Sequence, residues 1–305
     1  MEIQTVSIVG LGALGTLFGH HLAGRLLAGA LRVVADAARV ERYRREGVFS
    51  NGQPCAFAYV TPDASVPPAD LVLVAVKSTQ LTEALPAIRS QLGPDTLLVS
   101  LLNGITSEQV LGEAFGAQRV VYCVAYGMDA VREGNRLTYG HMGKLCIGPA
   151  DGGPIPEPVE RVRRFFARTD LPHEVDPFMR KRMWGKLLLN VGVNQTVALY
   201  GPDYGAIQHP GEQRERMIAA MREVLRLSQA EGVSLTEEDL AVWLAVLDNL
   251  NPRGKPSMRQ DVEARRPSEV ELFAGTVLAL AAKHGVDVPV NRQLYDGIRA
   301  LEAGY

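Results

Sequence analysis

Val6-Ser7-Ile8-Val9-Gly10-Leu11-Gly12-Ala13-Leu14-Gly15 is the stretch whose reading decides the fold. A short β-favouring run enters G-x-G-x-x-G, and the residues from about 13 onward have helical character. That strand–turn–helix context gives a weak motif its meaning, because it is the setting of a dinucleotide-binding loop. Gly10 permits the tight turn, Gly12 lets the backbone approach a pyrophosphate, and Gly15 lets the helix pack close to the strand. Leu11, Ala13 and Leu14 complete the loop, whose amides at a helix N-terminus attract phosphate. The alternative is a glycine-rich turn that binds nothing.

Outward from this loop, β-rich runs recur between helical patterns. Residues 31–35, 71–76, 97–101 and 120–124 are such runs, and 71–76 is entirely apolar, as expected of a strand covered on both faces. Alternating strands and helices predict a parallel sheet. Asn51-Gly52 signals one hairpin, and a second is expected from Leu137 to Ile147. Asp36 ends the second run, about 20 residues past the loop, where a carboxylate can bind the adenosine ribose and disfavour a 2′-phosphate. Arg32 and Arg39 are near enough in sequence to offset it, and Asp36 is equally suited to cap the next helix.

Beyond Pro177 the β signal stops. Segments near 178–199, 211–231, 237–250, 268–284 and 290–302 have helical character. The expectation is an α/β N-terminal Rossmann-like dinucleotide-binding domain over 1–172 and an all-α C-terminal domain over 173–305, the latter suited to substrate binding and dimerisation. Composition agrees with two packed domains: 305 residues are 47% hydrophobic, with 32 basic against 34 acidic side chains. A net charge of −2 offers no basic field for nucleic acid. Three cysteines, Cys55, Cys123 and Cys146, form no C-x-x-C pair, so neither a disulfide framework nor a metal cage is expected. The N-terminus lacks the positive start of a signal peptide and no stretch suits a membrane span, which together predict a cytoplasmic protein.

Trp184-Gly185-Lys186-Leu187-Leu188-Leu189-Asn190-Val191-Gly192-Val193-Asn194-Gln195 carries the chemistry. Lys186, Asn190 and Asn194 recur at i, i+4 and i+8 and share one face of an otherwise apolar helix. Such groups are costly to bury without partners. They form either a solvent-facing stripe or the polar wall of an interdomain cleft. An ammonium there suits carbonyl reduction, because hydride arriving at a ketone carbon drives negative charge onto its oxygen.

With these elements in order, the chain resembles the ketopantoate reductase (2-dehydropantoate 2-reductase) family. The resemblance runs from the glycine loop through Val76-Lys77-Ser78-Thr79-Gln80, Leu102-Asn103-Gly104 and Trp184-Gly185-Lys186-Leu187. It continues with Asn190, Asn194 and Pro256-Ser257-Met258-Arg259-Gln260-Asp261-Val262, then Ser268-Glu269-Val270-Glu271 and residues 283–289. It implies reduction of 2-dehydropantoate to (R)-pantoate with NADPH in pantothenate synthesis, with Lys186 as general acid. Lys77 would reach cofactor or substrate, and Asn103 would sit on a nicotinamide-side or substrate-side loop. Asn190 and Asn194 would hold substrate hydroxyls, Ser257 the carboxylate, and Glu269 would support substrate and lysine. Local alternatives are a helix cap for Ser257 and a Ser268/Glu271 capping box that places Glu269 in a first helical turn.

Three departures bear on specificity. Asp36 stands where the family has arginine, which favours NAD(H) over NADP(H). Thr106 stands where Asn-Gly-x-Gly has its second glycine, and Gln195 where an Asn-Pro pair has its proline. The expected partner is a small 2-oxo acid, with a homodimer through the helical domain. Rival readings are a reductase of another 2-oxo or 3-hydroxy acid, and a dinucleotide sensor without turnover. A sensor has no need of a proton donor such as Lys186.

Overall fold

The computed structural model describes residues 2–305. The chain divides into two compact units, one ending at Met179 and one over Arg180–Tyr305.

The first unit is α/β. Its elements are β1 (Val6–Val9), α1 (Ala13–Ala23), β2 (Leu31–Val34), α2 (Ala37–Glu46), β3 (Phe49–Ser50), β4 (Gln53–Pro54), β5 (Ala58–Val60), β6 (Leu71–Val74) and α3 (Leu81–Arg89). They continue with β7 (Leu97–Ser100), α4 (Ser107–Phe115), β8 (Val120–Met128), β9 (Val131–Glu133), β10 (Arg136–Thr138), β11 (Met142–Gly148), α5 (Glu157–Arg168) and β12 (His173–Val175). The main sheet has the order β12-β11-β8-β7-β6-β1-β2-β5. From β5 to β8 neighbouring strands run parallel, as the βα alternation predicts, and β11 returns antiparallel to β8. All four residues of β6 are buried. Leu71 and Leu73 face one core with Ile8, Phe18, Phe165 and Phe166, while Val72 and Val74 face a second with Val9, Ile88 and Leu111. Each such side chain contributes about 1.5–3 kcal/mol on burial, which holds β6 in the centre.

Two sequence expectations need correction here. The residues from Leu137 to Ile147 do not form a hairpin of their own. Leu137 belongs to β10, which turns back on β9 with Arg136 opposite Glu133, across Gly134-Asn135. Ile147 belongs to β11, whose partner is β8. Gly134, at φ +58°, supplies the left-handed conformation such a tight turn needs. The first unit also runs past the expected break at 172/173, because His173–Val175 pairs with Leu145–Ile147 and completes the sheet edge. The Asn51-Gly52 hairpin forms as expected between β3 and β4, and β10 joins β3 to make a small second sheet, β4-β3-β10-β9.

The second unit is helical. Its elements are α6 (Met179–Tyr200, whose first residue ends the first unit), α7 (Gly205–Gln208), α8 (Glu212–Ala230), α9 (Glu237–Asp248), α10 (Ser257–Glu263), a π turn (Glu271–Gly275), α11 (Thr276–His284) and α12 (Pro289–Glu302). Residues Val191–Ala198 of α6 are all buried. Close approach of α8 is possible because residue 192 is glycine; a Cβ there would stand 2.5 Å from Met221 Cγ. Thr236 and Asp239 form the capping box that starts α9. No helix among the described residues is long and apolar enough to cross a membrane.

Candidate active site

In the first unit, the motif residues gather at one edge of the sheet. β1, β2, β6 and β7 are parallel, so the segments that leave their carboxyl ends share that edge. Gly10–Gly15 follow β1, Asp36 follows β2, Lys77 follows β6, and Asn103 follows β7. After β1 the chain builds outward through β2, while β6 and β7 lie on the other side of β1. Open α/β sheets bind ligands beyond such a reversal of strand order.

The three motif glycines have different reasons for being glycine. Gly10 has φ +98°, and a Cβ there would come within 2.7 Å of backbone atoms of Ala75 and Val76. A Cβ at Gly15 would meet the Gly10 carbonyl oxygen at 2.1 Å. Those two positions are dictated by the packing of β1, α1 and the end of β6. Gly12 is different. Its φ is −70°, and its nearest would-be neighbour is Ala75 O at an ordinary 3.4 Å. The protein itself has room for a side chain at Gly12, so a bare backbone there suits a ligand that must come close. Gly12 is also the N-cap of α1 and supplies no side-chain cap. The first-turn amides of α1 are thus available to a pyrophosphate. The residues present fit a dinucleotide.

Asp36 is the N-cap of α2. Its Oδ1 accepts from the Arg39 amide at 2.8 Å, and its Oδ2 pairs with Arg39 Nη1 at 3.1 Å. Its capping role is therefore visible in the geometry, and Arg39 lies against its charge. Arg32 is directed elsewhere, with Nε donating to Ser7 Oγ and Gln91 Oε1. Lys77 is exposed at the start of the 3₁₀ turn Ser78–Gln80. Asn103 is half-buried, next to Gly104 at φ +91°.

Sequence reasoning missed Arg132 entirely. From β9 it reaches α1, donating from Nη1 to Thr16 Oγ1 at 2.7 Å and to the Gly12 carbonyl at 3.3 Å. This half-buried cation braces the glycine loop. No local pattern announces it, because the two segments are 120 residues apart.

In the second unit, α6 carries Lys186, Asn190 and Asn194 on one face, as the i, i+4, i+8 spacing requires. Lys186 and Asn190 are half-buried, and Asn194 is 6% exposed. Asn194 Nδ2 donates to Asn190 Oδ1 at 3.5 Å. Its Oδ1 accepts from Ser257 Oγ at 3.1 Å and from the Met258 amide at 3.3 Å. The structure thus joins three of the expected substrate residues, and Ser257 does not cap its own helix. Pro256 is the N-cap of α10, and Ser257 is its first residue. Ser268 and Glu271 form no capping box either. Ser268 donates to Glu302, and Glu271 accepts from Tyr295 Oη at 2.6 Å. Glu269 precedes the π turn, accepting from the Phe273 amide through its carbonyl.

Beneath this face lies a polar network that the sequence reading also missed. Gln195 Nε2 donates to Val191 O and to Asn291 Oδ1 at 3.1 Å. Asn291 Nδ2 and the Val290 and Asn291 amides donate to Glu223, at 2.8–2.9 Å. The carboxylate satisfies amides in the first turn of α12, where an anion is favoured. Glutamine at 195 lets α6 continue unbroken where a proline would remove an amide.

Two family models match the chain: "Ketopantoate reductase PanE/ApbA" over residues 6–152 and "Ketopantoate reductase PanE/ApbA C terminal" over 179–302. A 2-dehydropantoate 2-reductase of Halobacterium salinarum is 32% identical over 97% of this chain and 98% of its own. The chain belongs to the ketopantoate reductase family. A solved family member from Ralstonia eutropha JMP134 is 26% identical, with a TM-score of 0.84 over 98% of this chain and 99% of that one. A structure of D-mandelate dehydrogenase with NADH shares the fold, at 19% identity and a TM-score of 0.86 over 98% and 99% of the chains. Family membership makes this ketopantoate reductase relative an oxidoreductase that uses a nicotinamide dinucleotide and acts on a CH–OH/C=O pair in a small 2-oxo acid.

Proposed function

We propose that this protein reduces 2-dehydropantoate to (R)-pantoate with Lys186 as the general acid. The observation that carries the reading is the half-buried Lys186 on the same face of α6 as Asn190 and Asn194, with Asn194 bonded to Ser257. A reduced nicotinamide supplies the hydride when bound. The first-turn amides of α1 and the backbone at Gly12 hold the pyrophosphate, with Lys77 and Asn103 on neighbouring loops. Lys186 directs its ammonium at the ketone oxygen, stabilises the negative charge that grows there, and gives up a proton to form the alcohol. Asn190 and Asn194 hold substrate hydroxyls, and Glu269 supports the lysine and substrate. Ser257 takes the carboxylate by turning its hydroxyl from Asn194 towards the charged oxygen, which exchanges a neutral hydrogen bond for a stronger charge-assisted one. Asp36 accepts from the ribose hydroxyls, so that NADH is used at least as well as NADPH, and Arg39 beside it only moderates the repulsion of a 2′-phosphate.

The deciding experiment is steady-state oxidation of NADPH and NADH against 2-dehydropantoate and a panel of other 2-oxo acids. Highest kcat/KM on 2-dehydropantoate supports the reading. Higher kcat/KM on another 2-oxo acid would transfer the same chemistry to that substrate, and Thr106 and Gln195, which depart from the family pattern, are the places to look for the cause.

A further inference from the structure

Glu108 is a carboxylic acid where a helix in a packed domain would ordinarily carry an apolar residue. It sits in the first turn of α4 and is 3% exposed. Its Oε2 accepts from Ser107 Oγ at 2.9 Å. Ser107 Oγ lies 2.8 Å from Ser100 Oγ, at the end of β7. Ser100 Oγ in turn accepts from the Leu102 amide at 3.3 Å. An amide can only donate and an ionised carboxylate can only accept. Each hydroxyl has one proton, so the ends fix the direction of the whole chain: Leu102 amide to Ser100, Ser100 to Ser107, Ser107 to Glu108. All the donors point at the carboxylate, and such chains strengthen one another.

The position of this chain gives it consequence. The register of β7 on β8 ends at Val99 opposite Val121. Just beyond, the Glu108 carboxyl faces the Cys123 amide of β8. At the same level β7 hands over to residues 101–106, the loop that carries Asn103. We propose that Glu108 is a positioning residue, whose ionised carboxylate holds the Asn103 loop through Ser107 and Ser100 and releases it on protonation. Its effect on ligand binding rests on the placement of Asn103 under Proposed function.

The surroundings make protonation accessible near neutrality. Burial pushes the Glu108 carboxyl up to about 7, against the opposing pull of its own amide, the Ser107 hydroxyl and the Cys123 amide. These groups are uncharged. Charged groups on neighbouring elements are engaged elsewhere: Arg119 donates to the carbonyls of Gly93 and Thr96, Arg89 stacks over Phe115, and Glu113 accepts from Gln109. Cys123 offers the site its amide alone, because its side chain packs in the opposite core with Val121 and Ala125. When the carboxylate gains a proton it becomes a weaker acceptor, and the chain ending at the Leu102 amide loosens.

Amide hydrogen exchange in the ligand-free full chain tests this. After correction for intrinsic exchange, protection of the Leu102 amide should rise about fivefold from pH 6 to pH 8, since charge-assisted hydrogen bonds are roughly twice as strong as neutral ones. In Glu108→Gln and Ser107→Ala the rise should vanish, leaving both near the wild-type level at pH 6. A wild-type Leu102 amide indifferent to pH, or a rise retained in either variant, overturns the proposal. Should Glu108→Gln fail to fold, Ser107→Ala and the wild-type profile still decide. Calorimetric titration with NADH and NADPH supplies the second arm. Affinity should follow the exchange profile in wild type and lose its inflection in the variants. Affinity independent of pH beside a responsive Leu102 overturns the link to ligand. No dinucleotide binding at any pH refutes the proposed function, and the exchange arm still decides the hydrogen-bond chain.

Discussion

Placing one methyl group at residue 12 separates the needs of the protein from the needs of its ligand. In Gly12→Ala the new Cβ lies 3.4 Å from Ala75 O, at φ −70°, with no clash and no left-handed backbone. Restricting the unfolded chain favours the variant by about 0.4–1 kcal/mol. Alanine is a poorer N-cap than glycine by a similar amount. The two offset, so stability should stay within about 1 kcal/mol of wild type, a shift of at most roughly 4 °C in Tm. Binding should behave quite otherwise. Loss of one amide-to-phosphate hydrogen bond costs about 1.5–3 kcal/mol, or roughly 10–150-fold in Kd. Gly10→Ala is the control with the opposite cause: its Cβ meets backbone at 2.7 Å from a φ of +98°, which costs on the order of 1–3 kcal/mol or more of fold stability. Thermal unfolding and calorimetric NADH titration on both variants read the two effects. Dinucleotide affinity in Gly12→Ala within twofold of wild type would refute the reasoning, as would a loss of stability equal to that of Gly10→Ala.

Lys186→Ala should lower kcat by roughly 10²–10⁴-fold with dinucleotide affinity nearly unchanged; a near-normal kcat in folded protein would return Lys186 to an ordinary helix position. Asp36→Asn keeps a good N-cap while removing the charge, so kcat/KM with NADPH should rise relative to NADH, and an unchanged ratio would show that Asp36 does not face the ribose. Asn291→Ala strips the Nδ2 donor from the buried Glu223 carboxylate and the Oδ1 acceptor from Gln195, and should cost about 2–3 kcal/mol in chemical denaturation. Glu108 titrates higher in the native state than in the unfolded chain, so its contribution to stability is full in acid and is lost as pH rises through about 7. The Tm of Glu108→Gln relative to wild type should therefore increase between pH 5 and pH 8, and a constant difference would argue against a raised Glu108.

Most of the main sheet before residue 130 was legible because its signals are local, the three-residue edge strand β5 excepted. An apolar run such as Leu71–Val74 has a strand's length and β-branched content, and the loop after Val9 carries its glycines in place. The longer helices of the second unit followed from 3.6-residue periodicity within three residues at each end, whereas the short α7 and α10 lay outside the segments it marked. Failures occurred where partners are remote. The short strand His173–Val175 exists only because β11 is beside it, and no periodicity can be read from three residues. Leu137 and Ile147 both have strand character, yet the turn at Gly134-Asn135 and the long β8 strand give them different partners. At the candidate site, Lys186, Asn190 and Asn194 announce themselves by spacing, whereas the bond from Ser257 to Asn194 crosses 63 residues and leaves no local trace. Ser268 misled for the same reason: Glu302, 34 residues on, accepts the Ser268 amide that Glu271 would have taken in a capping box.

The reach of Arg132 to the Gly12 carbonyl has a consequence for the order in which the chain acquires its parts. The glycine loop is translated first, and its brace follows 120 residues later. At about 5–20 residues per second the nascent loop waits several seconds for Arg132. β6, which packs against Gly10, also arrives in that interval, so the strand neighbour precedes the cation. A nascent chain stopped before β9 emerges should fold β1 against β2 and β6 yet carry a loosely held loop with weak dinucleotide affinity. Long-range contacts of this kind are formed late because loop closure must come first. Binding competence in the first unit is therefore tied to synthesis of the small second sheet, and a dinucleotide present during translation has little to hold until that sheet is made.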